Sequence, residues 1–473
     1  MTMTNGKKLF KDTIIYAIAN FGSKLLIFLM LPLYTHYFTS AEYGTWDLLW
    51  TTVSLIVPFI TFELVAAVYR WLLEEEQPQE RGRIITTGTL TILRNLLIFN
   101  ATALAVMLFV DFPYHWELLL LINFTVTSSF LQQCARGLGF NKLFAMLGII
   151  QTAFSIGFIL IFIYVFDLRL LSFFYSSILA AASVTIIAWW ILKFHRYIEW
   201  KGYSKSLLKS FLTYSIPIIP GALSWWILTM SDRYVILAFL HLDANGIYAV
   251  ANKIPALLLM VNTIFFLAWK DSAITSFHSK EKDAYYSIVF KHYVRLMITT
   301  AILIILVAKP AMEIVIADTF GESWKYVGIM LIGALFSSLS QFWGAGFHGA
   351  KKTNSLFLTS LMGALLNILL NLALVPFIGL YGIAASTLLA FLCMWLFRVT
   401  ASHKYFTIRI QWRELVPLFA LLFVSLILPF ILEDKALFIS IAIAGMLFLF
   451  VNRELIGLLY RTGIAFFHKQ NAE

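Results

Sequence analysis

Apolar runs of about 20 residues recur from one end of the sequence to the other, and few folds can accommodate such a chain. A run of that length crosses the hydrocarbon core of a bilayer as an α-helix, because a helix satisfies its own backbone hydrogen bonds. With 60% hydrophobic and only 13% charged residues among 473, a water-soluble globule could not cover its surface with polar groups. The sequence therefore predicts an all-α polytopic membrane protein.

About fourteen such runs can be placed, and turn signals such as LDANG and IGLYG separate them. The predicted transmembrane helices cover residues 12–38, 43–70, 84–110, 115–139, 142–166, 170–193, 210–240, 245–269, 285–308, 326–348, 353–375, 380–402, 415–432 and 436–460. The first run is longer than the core of a signal peptide, and no small-residue cleavage site follows it. We therefore interpret it as the first membrane helix.

The lysines and arginines indicate the orientation, because they accumulate on the cytoplasmic side of membrane proteins. If the N-terminus is cytoplasmic, 27 of the 35 Lys and Arg residues fall in cytoplasmic segments and four in outer segments. This bias predicts a multi-pass protein of the cytoplasmic membrane with both termini inside. It also explains the net charge of +10 without a nucleic-acid partner, since the basic residues form no aromatic-studded patch.

An internal repeat indicates two related halves. SSFLQ at Ser128–Gln132 in the fourth predicted helix matches SSLSQ at Ser337–Gln341 in the tenth. Lys142 and Lys351 are separated by the same number of residues as these two motifs. Each half holds six helices, so both halves start on the same side and the repeat is parallel. We predict four regions: an N-terminal six-helix bundle (1–195), a basic cytoplasmic linker (196–209), a C-terminal six-helix bundle (210–403), and helices 13 and 14 with a cytoplasmic tail (404–473).

The other four cations fall inside predicted helices, where an unpaired charge is unfavourable. For Arg94, about a third of the way into the third helix, we expect a pairing or interfacial role. Helical rise places Lys24 about 18 Å into the first helix, and Arg233 and Lys253 about 10 and 14 Å below the outer ends of helices seven and eight. Snorkelling, or neutralisation of Arg233 by Asp232, would account for them structurally. A water-filled central cavity with a cationic face fits their depth better, and such a cavity suits an anionic substrate.

Other polar and kinked positions inside the helices are further candidates. The acids Asp47, Glu63 and Asp232 are salt-bridge partners or ion-coupling sites. Amide and hydroxyl side chains are expected mostly to hold helices together, a minority of them facing the cavity and binding sugar hydroxyls: Asn20, Ser128, Gln132, Ser337, Gln341, Asn367 and Asn371. Prolines that interrupt helices mark candidate hinges: Pro32, Pro217, Pro220 and Pro255.

Enzyme and metal motifs are nearly absent from the sequence. GAGFHGAKK at Gly344–Lys352 lacks the Gly-Lys-Ser/Thr ending of a phosphate-binding loop, and no paired His/Cys spacing suits a metal. The two cysteines, Cys134 and Cys393, lie far apart in apolar stretches and are expected to be buried thiols. We predict no cofactor, no bound metal and no catalytic residue. A membrane glycosyltransferase is the least favoured alternative, because no long outer segment is present to carry its acids.

Three stretches carry a family resemblance: NFGSKLLIFLMLPLYTHYFTSAEYGTW, SDRYVILAFLHLDANGIYAVANKIP and NILLNLALVPFIGLYGIAAST. They resemble the polysaccharide-transport branch of the multidrug/oligosaccharidyl-lipid/polysaccharide (MOP) exporter superfamily, the Wzx-type flippases of lipid-linked oligosaccharides. The resemblance implies two six-helix bundles around a central cavity, two additional helices and alternating access. The substrate that it implies is a polyprenyl-pyrophosphate-linked glycan, moved from the inner to the outer leaflet for cell-surface polysaccharide biosynthesis.

The resemblance also implies partners and site residues. Related lipid II flippases use basic residues on helices one, two and eight to meet the pyrophosphate, and Lys24 and Lys253 occupy comparable helices. The second helix here carries Asp47 and Glu63 and no cation near its middle, which departs from that pattern. Drug-exporting relatives place a coupling acid on helix one or seven, where Asp232 lies. The expected partners are therefore the lipid-linked glycan, membrane lipids, a proton or sodium ion, and polysaccharide polymerase machinery; the alternative function is a cation-coupled multidrug exporter.

The predicted topology can be tested with single cysteines in a variant that lacks the two native ones. Cysteines at Glu75 and Arg196 are expected to react with a membrane-impermeant thiol reagent only from the cytoplasmic side. Cysteines at Asp243 and Tyr381 are expected to react only from outside, because one predicted helix separates Arg196 from Asp243. The members of each pair lie on the same side, because four predicted helices separate them. Labelling of position 196 from outside in intact cells would contradict the fourteen-helix arrangement.

Overall fold

The computed structural model describes residues 22, 25–26, 28–199 and 202–457, and this part of the chain contains helices and no strand. Seventeen α-helices are described: α1 Leu31–Tyr37, α2 Ser40–Thr61, α3 Leu64–Glu74, α4 Pro78–Met107, α5 His115–Gly137, α6 Asn141–Tyr164, α7 Leu171–Ile191, α8 Lys205–Ser215, α9 Ile219–Met230, α10 Asp232–Phe239, α11 Leu242–Ala251, α12 Lys253–Ser276, α13 Lys282–Val315, α14 Trp324–Gly349, α15 Thr353–Ser402, α16 Trp412–Ile431 and α17 Asp434–Val451. Short 3₁₀ turns occupy Phe194–Arg196, Ile216–Ile218 and Asp318–Ser323.

Within the described residues, eleven helical segments are long and apolar enough to cross a membrane, or twelve if the bent pair α2–α3 forms one span. The helix α15 alone has 50 residues, about 75 Å at helical rise and more than twice the thickness of a hydrocarbon core. Its backbone leaves the helical region at Gly379, with φ 56° and ψ −133°, which a glycine adopts without steric conflict. This glycine lies in the predicted IGLYG turn, so α15 holds two spans. About half of the first predicted helix lies outside the described residues, and the arrangement is compatible with fourteen helices.

Packing divides the chain into two units, Met1–Trp226 and Ile227–Glu473. The division falls inside α9, which belongs to the seventh predicted helix. The N-terminal half of that predicted helix therefore packs with the first unit. The four predicted regions and their boundaries remain predictions.

The second predicted helix, residues 43–70, is two helices in the structure. Phe62 and Glu63 both have left-handed backbone angles, with φ 48° and 53°, and α2 and α3 meet at 58°. The break removes the helical partner of the Ile60 carbonyl, and the Asn95 amide of α4 donates to that carbonyl at 2.9 Å. A side chain from a different helix thus replaces the missing backbone hydrogen bond.

The predicted basic linker is held against α4. The Thr86 hydroxyl donates to the Tyr197 carbonyl at 3.0 Å and accepts from the Glu199 N–H at 3.0 Å. The Ser204 N–H, at the start of α8, donates to the Thr87 hydroxyl at 3.2 Å. The linker therefore fixes where α8 begins in the first unit.

The two C-terminal helices pack on α13 of the second unit through polar contacts. Glu414 of α16 pairs with Arg295 and, at 3.2 Å, with Lys291 of α13. After the end of α17, the Asn452 amide donates to the Thr299 hydroxyl at 2.9 Å. The terminal pair is thus part of the second unit.

Candidate functional site

The seventh predicted helix, 210–240, is divided into segments. The helix α8 ends at Ser215, a 3₁₀ turn covers Ile216–Ile218, and α9 follows. Pro217 lies in that turn and Pro220 in the first turn of α9, so both candidate hinges lie where the helix type changes. A short 3₁₀ stretch inside a membrane helix often marks a hinge.

A second interruption at Ser231 separates α9 from α10 and places Asp232 in the first turn of α10. The exposed N–H groups of a helix N-terminus favour a negative charge at this position. The Asp232 side chain is only 1% exposed. A carboxylate at such depth needs further hydrogen-bond donors.

Three neutral side chains supply those donors to Asp232. The Tyr248 hydroxyl of α11 donates at 2.6 Å, and the Asn371 amide and the Thr387 hydroxyl of α15 each donate at 2.9 Å. Asn371 and Thr387 lie on opposite sides of Gly379, so they belong to the two spans of α15. Four predicted membrane helices, the seventh, eighth, eleventh and twelfth, therefore meet at one carboxylate.

Further polar side chains continue this arrangement. The Asn367 amide donates to the Thr387 hydroxyl at 3.2 Å, and the Asn367 carbonyl oxygen accepts from Asn371 and Ser231 at 3.3 and 3.4 Å. The side-chain oxygen Oδ1 of Asn371 is buried and has no hydrogen-bond partner in the described part of the chain. We call these six residues the Asp232 cluster: Ser231, Asp232, Tyr248, Asn367, Asn371 and Thr387.

The Asp232 cluster has the chemistry of a small cation or proton site. Carboxylate, amide and hydroxyl oxygens are the ligands that hard cations prefer, and the Asn371 oxygen is an acceptor without a donor. No group of three His, Cys, Asp or Glu residues suited to a metal occurs among the described residues. A single carboxylate among neutral oxygens therefore fits a monovalent ion or a proton.

Arg233 is 4% exposed and lies beside the Asp232 cluster. Its guanidinium donates to the Thr229 carbonyl at 2.9 Å and lies 5.2 Å from the centre of the Tyr248 ring. The same tyrosine donates its hydroxyl to Asp232. Tyr248 therefore contacts both charged residues.

The remaining candidate cations are Lys253 and Lys24. Lys253 is the first residue of α12, directly after the interruption of the eighth predicted helix at Asn252, and it is partly exposed. Pro255 is buried in the first turn of α12 and cannot donate a backbone hydrogen bond across that interruption. Lys24 and the candidate Asn20 lie outside the described residues. The proposed grouping of three cations therefore remains a prediction.

The first unit contains the remaining candidate acids and the first candidate hinge. Asp47 is partly buried on α2, and Glu63 is partly buried at the break between α2 and α3. Pro32 lies in the first turn of α1.

The polar pairs of the internal repeat have similar geometry in both units. The Gln132 amide donates to the Ser128 hydroxyl and to Gln151 of α6, both at 2.9 Å. The Gln341 amide lies 3.5 Å from the Ser337 hydroxyl, and its carbonyl oxygen accepts from Asn262 of α12 at 3.2 Å. In each unit these side chains join neighbouring helices, which supports the packing role that we expected for most of them.

Sequence reasoning missed three residues. Tyr248 and Thr387 are neutral residues without a distinguishing pattern, and only the packing of three segments reveals their contact with Asp232. Arg398 was counted with the cytoplasmic charges, but it is 4% exposed and donates to the Ser340 carbonyl at 2.8 Å and the Ser360 hydroxyl at 2.9 Å. Its position inside the predicted helix 380–402 could have indicated that Arg398 is buried.

Known proteins with the same fold are transporters. The structure is similar to that of the lipid II flippase MurJ in an inward closed conformation, with a TM-score of 0.67 and 17% identity over 95% of this chain and 100% of that one. It is also similar to an inward-facing multidrug resistance MATE transporter of the MOP superfamily, with a TM-score of 0.66 and 12% identity over 81% of this chain and 95% of that one. A Vibrio cholerae MATE transporter has a TM-score of 0.57 and 14% identity over 84% of this chain and 97% of its own. At these identities the similarity shows the fold, which confirms the predicted fold class.

Sequence comparison identifies the family. No curated protein matches the chain. The family model described as "Polysaccharide biosynthesis protein" matches residues 9–269, which is more than half of the chain. The chain is a multi-pass membrane protein that shares its fold with these flippase and MATE structures, and it belongs to the polysaccharide biosynthesis protein family.

Proposed function

We propose that this transporter is a flippase for a polyprenyl-pyrophosphate-linked oligosaccharide. It moves its substrate from the inner to the outer leaflet of the cytoplasmic membrane by alternating access, and it supplies cell-surface polysaccharide biosynthesis. The family description and the fold shared with a lipid II flippase support this substrate class. The single observation that carries the proposal is the buried Arg233, a cation retained inside a membrane bundle.

An arginine at the centre of a membrane helix costs about 2.5–3.5 kcal/mol on insertion scales, so its retention calls for a function. A diphosphate diester carries about two negative charges, and each well-placed cation contributes roughly 1.5–3 kcal/mol of charge-assisted hydrogen bonding to it. Arg233 and Lys253 follow the interruptions of two consecutive helices. In this proposal they and Lys24 form the cationic face that receives the pyrophosphate, while the polyprenyl tail stays in the bilayer.

The Asp232 cluster supports ion coupling. Binding of a proton or a sodium ion there would change the net charge beside Arg233 and the hydrogen bonds that join α10, α11 and α15. A change in those bonds gives the ion a direct effect on how these helices pack. We propose that the ion couples to substrate release through Tyr248, which contacts both charged residues.

The second candidate function is a cation-coupled exporter of small molecules. The Asp232 cluster favours it, because an acid inside a membrane bundle suits cationic drugs and coupling ions alike. Arg233 and Lys253 disfavour it, since they repel a cationic substrate. Neither function requires a catalytic residue.

Replacing Asp232 by Asn tests the coupling proposal. The amide retains the shape of the carboxylate and loses its charge, so the protein should fold while ion binding is lost. For the unaltered protein, sodium or protons at ten times the dissociation constant should stabilise the folded state by about 1.4 kcal/mol. Thermal unfolding of the purified protein at constant ionic strength measures this stabilisation, and D232N should show none.

The control for Asp232 is Asp318→Asn, which removes an exposed carboxylate from the same unit. This variant should retain the full ion-dependent stabilisation. An unchanged response in D232N would remove the Asp232 cluster from ion coupling.

Neutralising the cations tests the substrate proposal. Lys24→Gln, Arg233→Gln and Lys253→Gln should each reduce glycan export at least tenfold with normal membrane insertion, because each removes a cation from the pyrophosphate site. Arg233→Lys should impair export less, since it retains the charge and loses only the planar guanidinium. Surface polysaccharide and accumulated lipid-linked glycan in cells measure export.

The matched control here is Lys435→Gln, which removes an exposed lysine from the second unit. Export should be normal in this variant. Normal export in all three test variants would mean that these cations are structural.

A further inference from the structure

A groove of about 410 Å³ runs along one face of α8 and is separate from the Asp232 cluster. The groove is open, and all of its lining residues lie on the single segment 205–217. Lys205 and Lys209 line one end. Mostly apolar residues line the remainder: Leu208, Leu212, Thr213, Ile216 and Pro217. The groove is therefore apolar along its length and cationic at one end.

The cationic end of the groove is strongly positive. Lys205 and Lys209 are exposed one helical turn apart, about 6 Å along the axis, and neither forms an ion pair within the described part of the chain. Lys205 is also the first residue of α8, whose first turn contains no acid. The positive end of the helix dipole adds to the two lysine charges.

Such a groove matches a lipid with an anionic phosphate head. The phosphate would pair with the lysines, and the apolar chain would lie along Leu212 and Ile216. The N-terminal segment of the same chain is a poor occupant, because Lys7, Lys8 and Lys11 would repel the two lysines.

The position of the groove favours the transported lipid over a bulk phospholipid. Its far end is Pro217, in the 3₁₀ turn that interrupts the seventh predicted helix. An occupant there contacts the candidate hinge directly. A binding site beside a hinge links substrate occupancy to bending, whereas a bulk lipid would occupy the site at all times.

We propose that this groove is a docking subsite for the polyprenyl-pyrophosphate end of the substrate, with the pyrophosphate at Lys205 and Lys209. This assignment rests on the proposed flippase function. The subsite receives the lipid at the cytoplasmic end of α8 before the pyrophosphate reaches Arg233 and Lys253.

Photolabelling tests the subsite in the full-length protein reconstituted in nanodiscs. A polyprenyl pyrophosphate with a photoreactive group in its first prenyl units should label the peptide 205–217. Unlabelled polyprenyl pyrophosphate should compete, and phosphatidylglycerol should not. Lys205→Gln with Lys209→Gln should raise the dissociation constant about fivefold, as expected for the loss of two exposed ion pairs. Thr213→Trp, which fills the groove from an exposed position, should block labelling.

Matched controls distinguish the effects of losing charge or adding side-chain volume in the groove from a general loss of folded protein. Lys142→Gln with Lys193→Gln removes two other exposed lysines of the same unit, and Ser210→Trp adds the same bulk to α8 outside the groove lining. Both controls should label normally. Equal competition by phosphatidylglycerol, unchanged labelling in the lysine double variant, or a crosslink from Lys209→Cys to the N-terminal segment would each overturn the proposal.

Leaflet transfer in vesicles distinguishes failure of the subsite from failure of the function. With a working subsite, the lysine double variant should show a fivefold higher KM for the glycan lipid and an unchanged maximal rate. An unchanged KM in a protein that still transfers the glycan overturns the subsite alone. Absence of transfer by the unaltered protein overturns the function itself.

Discussion

Hydrocarbon offers no hydrogen-bond partner to a buried carboxylate, and the second unit is organised around this constraint at Asp232. Three neutral donors from three segments satisfy the carboxylate, and the start of α10 adds the favourable end of a helix dipole. The interruption at Ser231 is what allows a helix to begin at this depth. Loss of the whole Asp232 side chain, unlike its replacement by the similarly shaped Asn, would therefore leave donors from three segments without an acceptor.

Interrupted helices carry several of the candidate functional residues of this protein. The seventh predicted helix is interrupted at the 3₁₀ turn and at Ser231, and the eighth at Asn252, beside Lys253. Transporters often bind ions and substrates where helices are discontinuous, because the freed backbone groups and helix ends can contact a ligand. The same interruptions provide positions at which a helix can bend. The candidate ligand-binding positions and the positions at which the helix can bend are thus close together along the seventh predicted helix.

Much of the fold could be predicted from the sequence, because membrane spans follow from apolar length alone. Asp232, Asn367 and Asn371 could be selected since polar residues are rare in such helices. Tyr248 and Thr387 could not, because their contacts with Asp232 depend on packing between distant segments. The break at Phe62 and Glu63 was also hidden, since neither residue is a glycine or proline and Asn95, which compensates it, comes from another helix.

The central claim is that this protein transports an anionic lipid-linked glycan. Purified protein in sealed vesicles can be given a polyprenyl-pyrophosphate-linked oligosaccharide or a cationic drug, and transfer of each across the bilayer can be compared with that in protein-free vesicles. The account predicts that the protein accelerates transfer of the glycan lipid and leaves transfer of the drug unchanged. Accelerated drug transfer without any transfer of the glycan lipid would contradict it.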